Sequence, residues 1–303
     1  MSLDSRWPVV LIALGLPCLF AVPASGAEPK ALPFRFELPF QKPTPEDDRA
    51  LDAIEISPEQ EREFGAPIVR AYLSDLKRRK LKVLDRGADV DYLRKLVDQI
   101  RPFMKNAERY PTIRVLVIDS PKLEARSFSG GTLIFSRGML EFAGSEAALV
   151  AIVGHELSHL DHGHQLAPLK KIHLSQKTLA DPRQGFSPER FFNSGMSLMR
   201  LWSQPFRPQD EAAADRDGVD WAWRAGYDPR ELAAFFSRWE KSEGNKKTPA
   251  LSFFQTHPYH HERREAVLDR HAELQAADPR PDLYVGRENL RRRIPRAEQE
   301  FQE

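Results

Sequence analysis

His155-Glu156-Leu157-Ser158-His159 lies inside a strongly apolar helical pattern, and that placement narrows what the chain can fold into more than any other feature. From about Ser145 to Gly163, Leu149, Ile152, Val153, Leu157 and Leu160 recur three and four apart, the spacing of a helix that is apolar around much of its circumference. Two histidines and a glutamate set into such a helix cost free energy unless they are paired or bound to a metal. At about 100° per residue the two histidines stand roughly 40° apart on adjacent turns, with Glu156 on the flank of both. Two imidazoles so placed can grip one Zn²⁺ at about 2.0 to 2.1 Å each, while the carboxylate reaches a metal-bound water without binding the metal. All nine histidines lie after residue 154, and His155, His159, His162 and His164 cluster within this helix and its end.

A catalytic zinc needs a third protein ligand. The pattern H-E-x-x-H-x-x-G-x-x-H fails, because position 162 is His and position 165 is Gln. A glutamate from a later helix is the alternative, and Glu211-Ala212-Ala213-Ala214-Asp215 offers one. Glu211 and Asp215 are four apart and project from one helix face, while the alanines between them let that face approach the zinc helix closely. The pair reads as a ligand plus a supporting carboxylate, Asp215 accepting the free N–H of a ligating histidine or holding a nearby Arg. The only cysteine, Cys18, belongs to a segment expected to be removed, so no thiolate enters the ligand set.

In these motifs the chain resembles the gluzincin endopeptidases that include the CAAX prenyl endopeptidase, the heat-shock membrane metalloproteases, the mitochondrial Oma-type peptidase and bacterial periplasmic relatives. The resemblance rests on His155 to His159, on Glu211 to Asp215, and on His257-Pro258 followed by Arg263, in the family's order. It runs from about Glu61-Arg62-Glu63-Phe64-Gly65 to Arg263 and includes Gly130 to Leu140, similar to the family's edge-strand segment. The resemblance implies that His155, His159 and Glu211 bind one Zn²⁺ per chain, that Glu156 is the general base, and that His257 with Arg263 stabilises the oxyanion. It also implies that Thr132, Leu133, Ile134 and Phe135 form an edge strand on which an extended polypeptide substrate lies, held by main-chain hydrogen bonds. The implied fold is α+β, a mainly helical zincin domain with a small β-sheet whose edge strand borders the active site.

Elsewhere the expectations come from local pattern. Residues 1–27 read as a secretory signal peptide cleaved after Ala27, since Trp7 to Val22 is apolar and small residues follow. Periplasmic or secreted localisation follows. Residues 28–50 form a Pro-rich arm, 51–275 the zinc metallopeptidase domain and 276–303 a charged, peripheral tail. Ser57-Pro58-Glu59-Gln60 predicts a capped helix from about 58 to 80, and helical spacing predicts others at about 89–106, 208–225, 228–239 and 258–275. A further helix is predicted from Ser187-Pro188-Glu189-Arg190, with strands at 113–118 and 132–135. The 45 Lys and Arg against 44 Asp and Glu argue against a nucleic-acid partner, which needs a basic face. No apolar run after residue 27 approaches 18 residues, so no integral membrane domain is expected, although peripheral membrane contact is compatible with the sequence. The functional expectation is a zinc endopeptidase acting on exported or misfolded proteins of the cell envelope. The alternative is a chaperone-like envelope assembly factor that binds peptides beside a latent or weakly active zinc site, with the stretch between His164 and Asp210 long enough to cover the metal.

Overall fold

The structure is a computed structural model that describes residues 49–51, 53–170, 205–243, 253, 257 and 261–302. The expected signal peptide, nearly all of the Pro-rich arm, and the helix starting at Ser187 with most of the stretch between His164 and Asp210 lie outside the described residues.

The first long helix, α1 (Pro58–Arg78), begins where the sequence says it should. Ser57 Oγ accepts from Gln60 N at 3.2 Å, and Gln60 Oε1 accepts from Ser57 N at 2.9 Å, closing a capping box. A short strand, β1 (Val83–Leu84), precedes α2 (Ala88–Ile100), whose Val90, Leu93, Leu96, Val97 and Ile100 make one buried stripe. The helix expected to reach about 106 ends at Ile100, because Pro102 has no N–H to donate and the chain continues only as a 3₁₀ turn, Arg101–Phe103.

Three further strands, β2 (Arg114–Ile118), β3 (Ala125–Phe128) and β4 (Thr132–Ser136), join β1 in a sheet of order β1-β2-β4-β3. β4 runs parallel to β2 and antiparallel to β3, while β1 is antiparallel to β2. Thr132 to Phe135 are therefore not the edge strand that the sequence reading expected. Gly130 and Gly131, at φ of 85° and 84°, turn the chain back against the residues before them, so β3 takes the outside position and both sides of β4 are paired. β3 escaped notice because Ala-Arg-Ser-Phe contains no β-branched residue.

The sheet leads through α3 (Arg137–Phe142) into α4 (Glu146–His162), which carries the two motif histidines and is buried along nearly its whole length. Ser145 Oγ caps it by accepting from Ala148 N at 3.2 Å, and Gly163, in the left-handed conformation at φ 67°, ends it. α4 packs most closely against α5 (Pro208–Arg224). Gly154 and Gly218 face each other there: a Cβ on Gly218 would stand 2.6 Å from Ala151 O, so only glycine permits this approach. α6 (Arg230–Glu243) and α7 (His261–Ala277) complete the helical layer, and among the described residues no helix is long and apolar enough to cross a membrane.

The C-terminal residues, expected to be peripheral, pack onto the start of α4. Val285 O and Gly286 O accept from Ala147 N and Glu146 N at 2.9 and 3.0 Å, and α8 (Arg287–Arg292) buries Asn289 and Leu290. The Glu146 carboxylate accepts from Tyr92 Oη at 2.7 Å, Tyr227 Oη at 2.6 Å and Arg296 N at 2.8 Å. The overall class is α+β, mainly helical with a small mixed sheet.

Candidate metal centre

One turn of α4 sets His155 Nε2 and His159 Nε2 3.1 Å apart. The Gly154–Gly218 contact brings in the first turn of α5, where Glu211 places Oε2 3.7 Å from His155 Nε2 and Oε1 3.4 Å from His159 Nε2. His257 adds Nδ1, 3.1 Å from His155 Nε2 and 2.9 Å from Glu211 Oε1. All four residues are buried, with one donor atom from each inside a 4.8 Å span. Ligands bonded tetrahedrally at 2.0 to 2.1 Å stand about 3.3 Å apart, and the observed separations bracket that value. The donor set of nitrogen and carboxylate oxygen suits Zn²⁺.

Two buried carboxylate oxygens here lack a hydrogen-bond donor, Glu156 Oε1 and Glu211 Oε2. Their nearest nitrogen neighbours, His257 Nε2 at 3.3 Å and Arg263 Nη1 at 2.8 Å, stand close without hydrogen-bond alignment. Buried carboxylate oxygens without a hydrogen-bond donor are expensive, and a cation among these donors would lower that cost. The residues fit the metal that the motif implies.

Further side chains fix these donors. His155 Nδ1 meets Asp215 Oδ1 at 2.9 Å, and Arg263 donates to Asp215 from Nε at 2.6 Å and from Nη2 at 2.8 Å. The remaining Arg263 nitrogen, Nη1, faces Glu211 and donates to His257 O at 3.3 Å. Burial raises the Glu211 carboxyl, but His257 and Arg263 beside it outweigh burial and hold it well below the usual carboxylate range. Asp215 behaves likewise: burial opposes ionisation, while the Arg263 pair and the His155 hydrogen bond bring its pKa down.

The sequence singled out neither Phe206, Phe253, Ser127 nor Gln165, and it assigned His164 no role beyond membership of the histidine cluster. Phe206 stacks on the His159 ring with centroids 4.0 Å apart, and Phe253 stacks on His257 at 4.6 Å. Ser127, on β3, donates to Glu156 Oε2 at 2.8 Å and accepts from Gln165 Nε2 at 2.6 Å. His164 Nδ1 lies 2.9 Å from His159 Nδ1, and burial together with His159 lowers the His164 pKa to about 3. Sequence offered one usable signal for the last two, the Gly163 helix stop that reverses His164 and Gln165 toward the site. Thr132 to Phe135 lie one strand farther in than β3, which is the strand that touches Glu156. A cavity of about 850 Å³ between α5 and α7, lined by Phe206, Ala212, Val219 and Val267, reaches Glu211, Asp215 and Arg263.

This arrangement can bind a dication and hold a carboxylate beside it. Comparison with known proteins agrees. Residues 92–271, from α2 through the α4 histidines to Arg263, match the description of Peptidase family M48. Over 170 residues the chain is 25% identical to a beta-barrel assembly-enhancing protease of Yersinia pestis, covering 50% of this chain and 33% of that protein. The protein of that name from Escherichia coli strain K12 is 23% identical over 155 residues, 47% of this chain and 31% of its own length. The mitochondrial metalloendopeptidase OMA1 of Bos taurus is 30% identical over 164 residues, 51% of this chain and 31% of its own. The chain thus spans about a third of the length of the curated relatives it matches. Because the matched family description covers more than half of its residues and encloses the buried donor cluster, the chain belongs to peptidase family M48.

Proposed function

We propose that this protein is a zinc-dependent endopeptidase acting on exported or misfolded polypeptides in the cell envelope. The observation that carries the reading is the convergence of His155, His159 and Glu211, with His257 close by and Glu156 Oε1, which has no hydrogen-bond donor, beside them. His155, His159 and Glu211 would hold Zn²⁺, which when bound lowers the pKa of water toward about 7 and polarises a carbonyl.

Glu156 takes the proton of the attacking water on Oε1 and returns it to the leaving amine. His257 supplies a hydrogen bond to the carbonyl oxygen as negative charge develops. Arg263 works through others, holding Asp215, Glu211 and the His257 carbonyl in place rather than meeting the substrate. The substrate lies extended along β3, one of the two edge strands among the described residues and the one joined to Glu156 by Ser127. Envelope location is supported by the leader pattern of residues 1–27 and by the relatives named for beta-barrel assembly.

Incubation with an unfolded, fluorescently labelled casein tests the reading. Cleavage that a zinc chelator abolishes and one equivalent of Zn²⁺ restores is expected. A protein that carries one zinc per chain and leaves the casein intact contradicts it.

A further inference from the structure

We propose that the 3₁₀ turn His164–Leu166, directly after the zinc helix, is a positioning element that sets the ring tautomer of His159 through His164 and the carboxylate of Glu156 through Gln165 and Ser127. This inference rests on the function proposed above and assigns roles to residues outside the H-E-x-x-H motif.

His155 and His159 are supported differently. The Nδ1 of His155 faces a carboxylate directly, Asp215 at 2.9 Å. The Nδ1 of His159 instead faces a second imidazole, His164 Nδ1, also at 2.9 Å. Across that contact one ring nitrogen must donate and the other accept. If His164 donated, the remaining proton of His159 would sit on Nε2, the nitrogen that points into the donor cluster, and would block a metal there.

Asp210 decides between the two. It faces the opposite nitrogen, His164 Nε2, at 3.7 Å, an electrostatic separation, and both its oxygens are fixed by Arg207 at 2.9 and 2.8 Å. A fixed carboxylate on that side favours the proton on His164 Nε2, which leaves Nδ1 to accept from His159 Nδ1–H and frees His159 Nε2 as a ligand. The plane of His164 is held in turn by His162, stacked on it at 5.2 Å and 6° and tied to Asp217 at 2.9 Å. His159 therefore receives through a relay what His155 receives from a carboxylate.

The next residue serves Glu156. Gln165 Nε2 donates to Ser127 Oγ, so the hydroxyl proton of Ser127 is directed to Glu156 Oε2, and Oε1 is left as the oxygen without a donor. Gly163 makes both contacts possible, because its left-handed backbone folds the chain from α4 back along the site. One turn thus serves a metal ligand and the base by separate routes.

The two routes predict different losses. Zinc affinity, measured by competition with a chromophoric chelator, and kcat and KM on unfolded casein are compared for wild type, His164→Ala, His164→Asn, Gln165→Ala and Ser127→Ala. Thermal unfolding of each metal-free protein is followed in parallel. His164→Ala is expected to weaken zinc binding about 10- to 100-fold, and His164→Asn, whose amide oxygen replaces the Nδ1 acceptor, to recover it to within about threefold. Gln165→Ala and Ser127→Ala are expected to keep wild-type zinc affinity and KM while lowering kcat about tenfold. Wild-type zinc affinity in His164→Ala, or a wild-type kcat in both Gln165→Ala and Ser127→Ala, overturns the proposal. So does a common loss of both parameters that tracks a lowered unfolding temperature, which marks the turn as structural only. Should His164→Ala not fold, lost affinity in a folded His164→Asn overturns it equally. A wild-type protein that neither binds zinc nor cleaves removes the proposed function together with this inference, whereas an active wild type with indifferent variants removes this inference alone.

Discussion

Arg263 balances two buried carboxylates at once, Asp215 through two hydrogen bonds and Glu211 through an ion pair. Removing the cation while keeping a side chain of similar volume, as in Arg263→Met, leaves Asp215 with His155 and Glu211 with its histidine neighbours but neither with its guanidinium. The expected cost is about 3 to 5 kcal/mol of stability, measured by denaturant unfolding of the metal-free protein, with weakened zinc affinity beside it. Arg263→Lys should fall between, since an ammonium cannot reproduce the two-pronged contact with Asp215. At this scale the sequence is informative wherever a role follows from spacing along one helix. His155 and His159, one turn apart, and Glu211 and Asp215, likewise one turn apart, are readable for that reason. Ser127, Gln165 and Phe206 reach the site from other elements, and a contact between elements leaves no period in the sequence to read.

The α4–α5 packing is the joint on which the donor cluster depends. Gly154 and Gly218 let two helices that contribute to the donor cluster approach closely, and a methyl group on Gly218 would meet the Ala151 carbonyl at 2.6 Å. Gly218→Ala is expected to push α5 outward, cost about 1 to 3 kcal/mol through overpacking and weaken zinc binding, although no ligand is altered. Chelator competition on the folded variant reads this directly, and unchanged affinity would show that Glu211 tolerates the shift. Helices were legible at this scale because α1 and α4 carry side-chain caps and α2 and α4 carry apolar residues at helical spacing. The sheet was less so. Gly130-Gly131 marks a hairpin in the sequence, but nothing in Ala125-Arg126-Ser127-Phe128 says that this half takes the outer position.

Across the whole molecule, the C-terminal residues and the start of α4 form one buried junction around Glu146. Burial raises the Glu146 carboxyl above 4.5, against the opposing hydrogen bonds from Tyr227, Tyr92 and Arg296 N. A carboxyl whose pKa is raised on folding contributes stability that is fully present below about pH 4.5 and is lost as pH rises through the raised value. Glu146→Gln, which cannot ionise, should flatten that decline in a pH series of unfolding curves. An unchanged slope would mean that the junction does not titrate. The charge and proline content of the C-terminal residues concealed this packing, since much of the contact is made by polar side chains: Arg293 lies over Tyr92, Arg296 over Tyr227, and Tyr284 against Tyr227.

The central claim is that Glu156 acts as a base beside a metal held by its neighbours. Glu156→Gln keeps the shape of the side chain and one oxygen for Ser127, so the fold and the donor set should persist. Purified with one zinc per chain and the wild-type unfolding temperature, the variant is expected to cleave unfolded casein at least a thousandfold more slowly, on the order of what loss of an essential proton-transfer group costs. Wild-type cleavage by the zinc-loaded variant would contradict the mechanism.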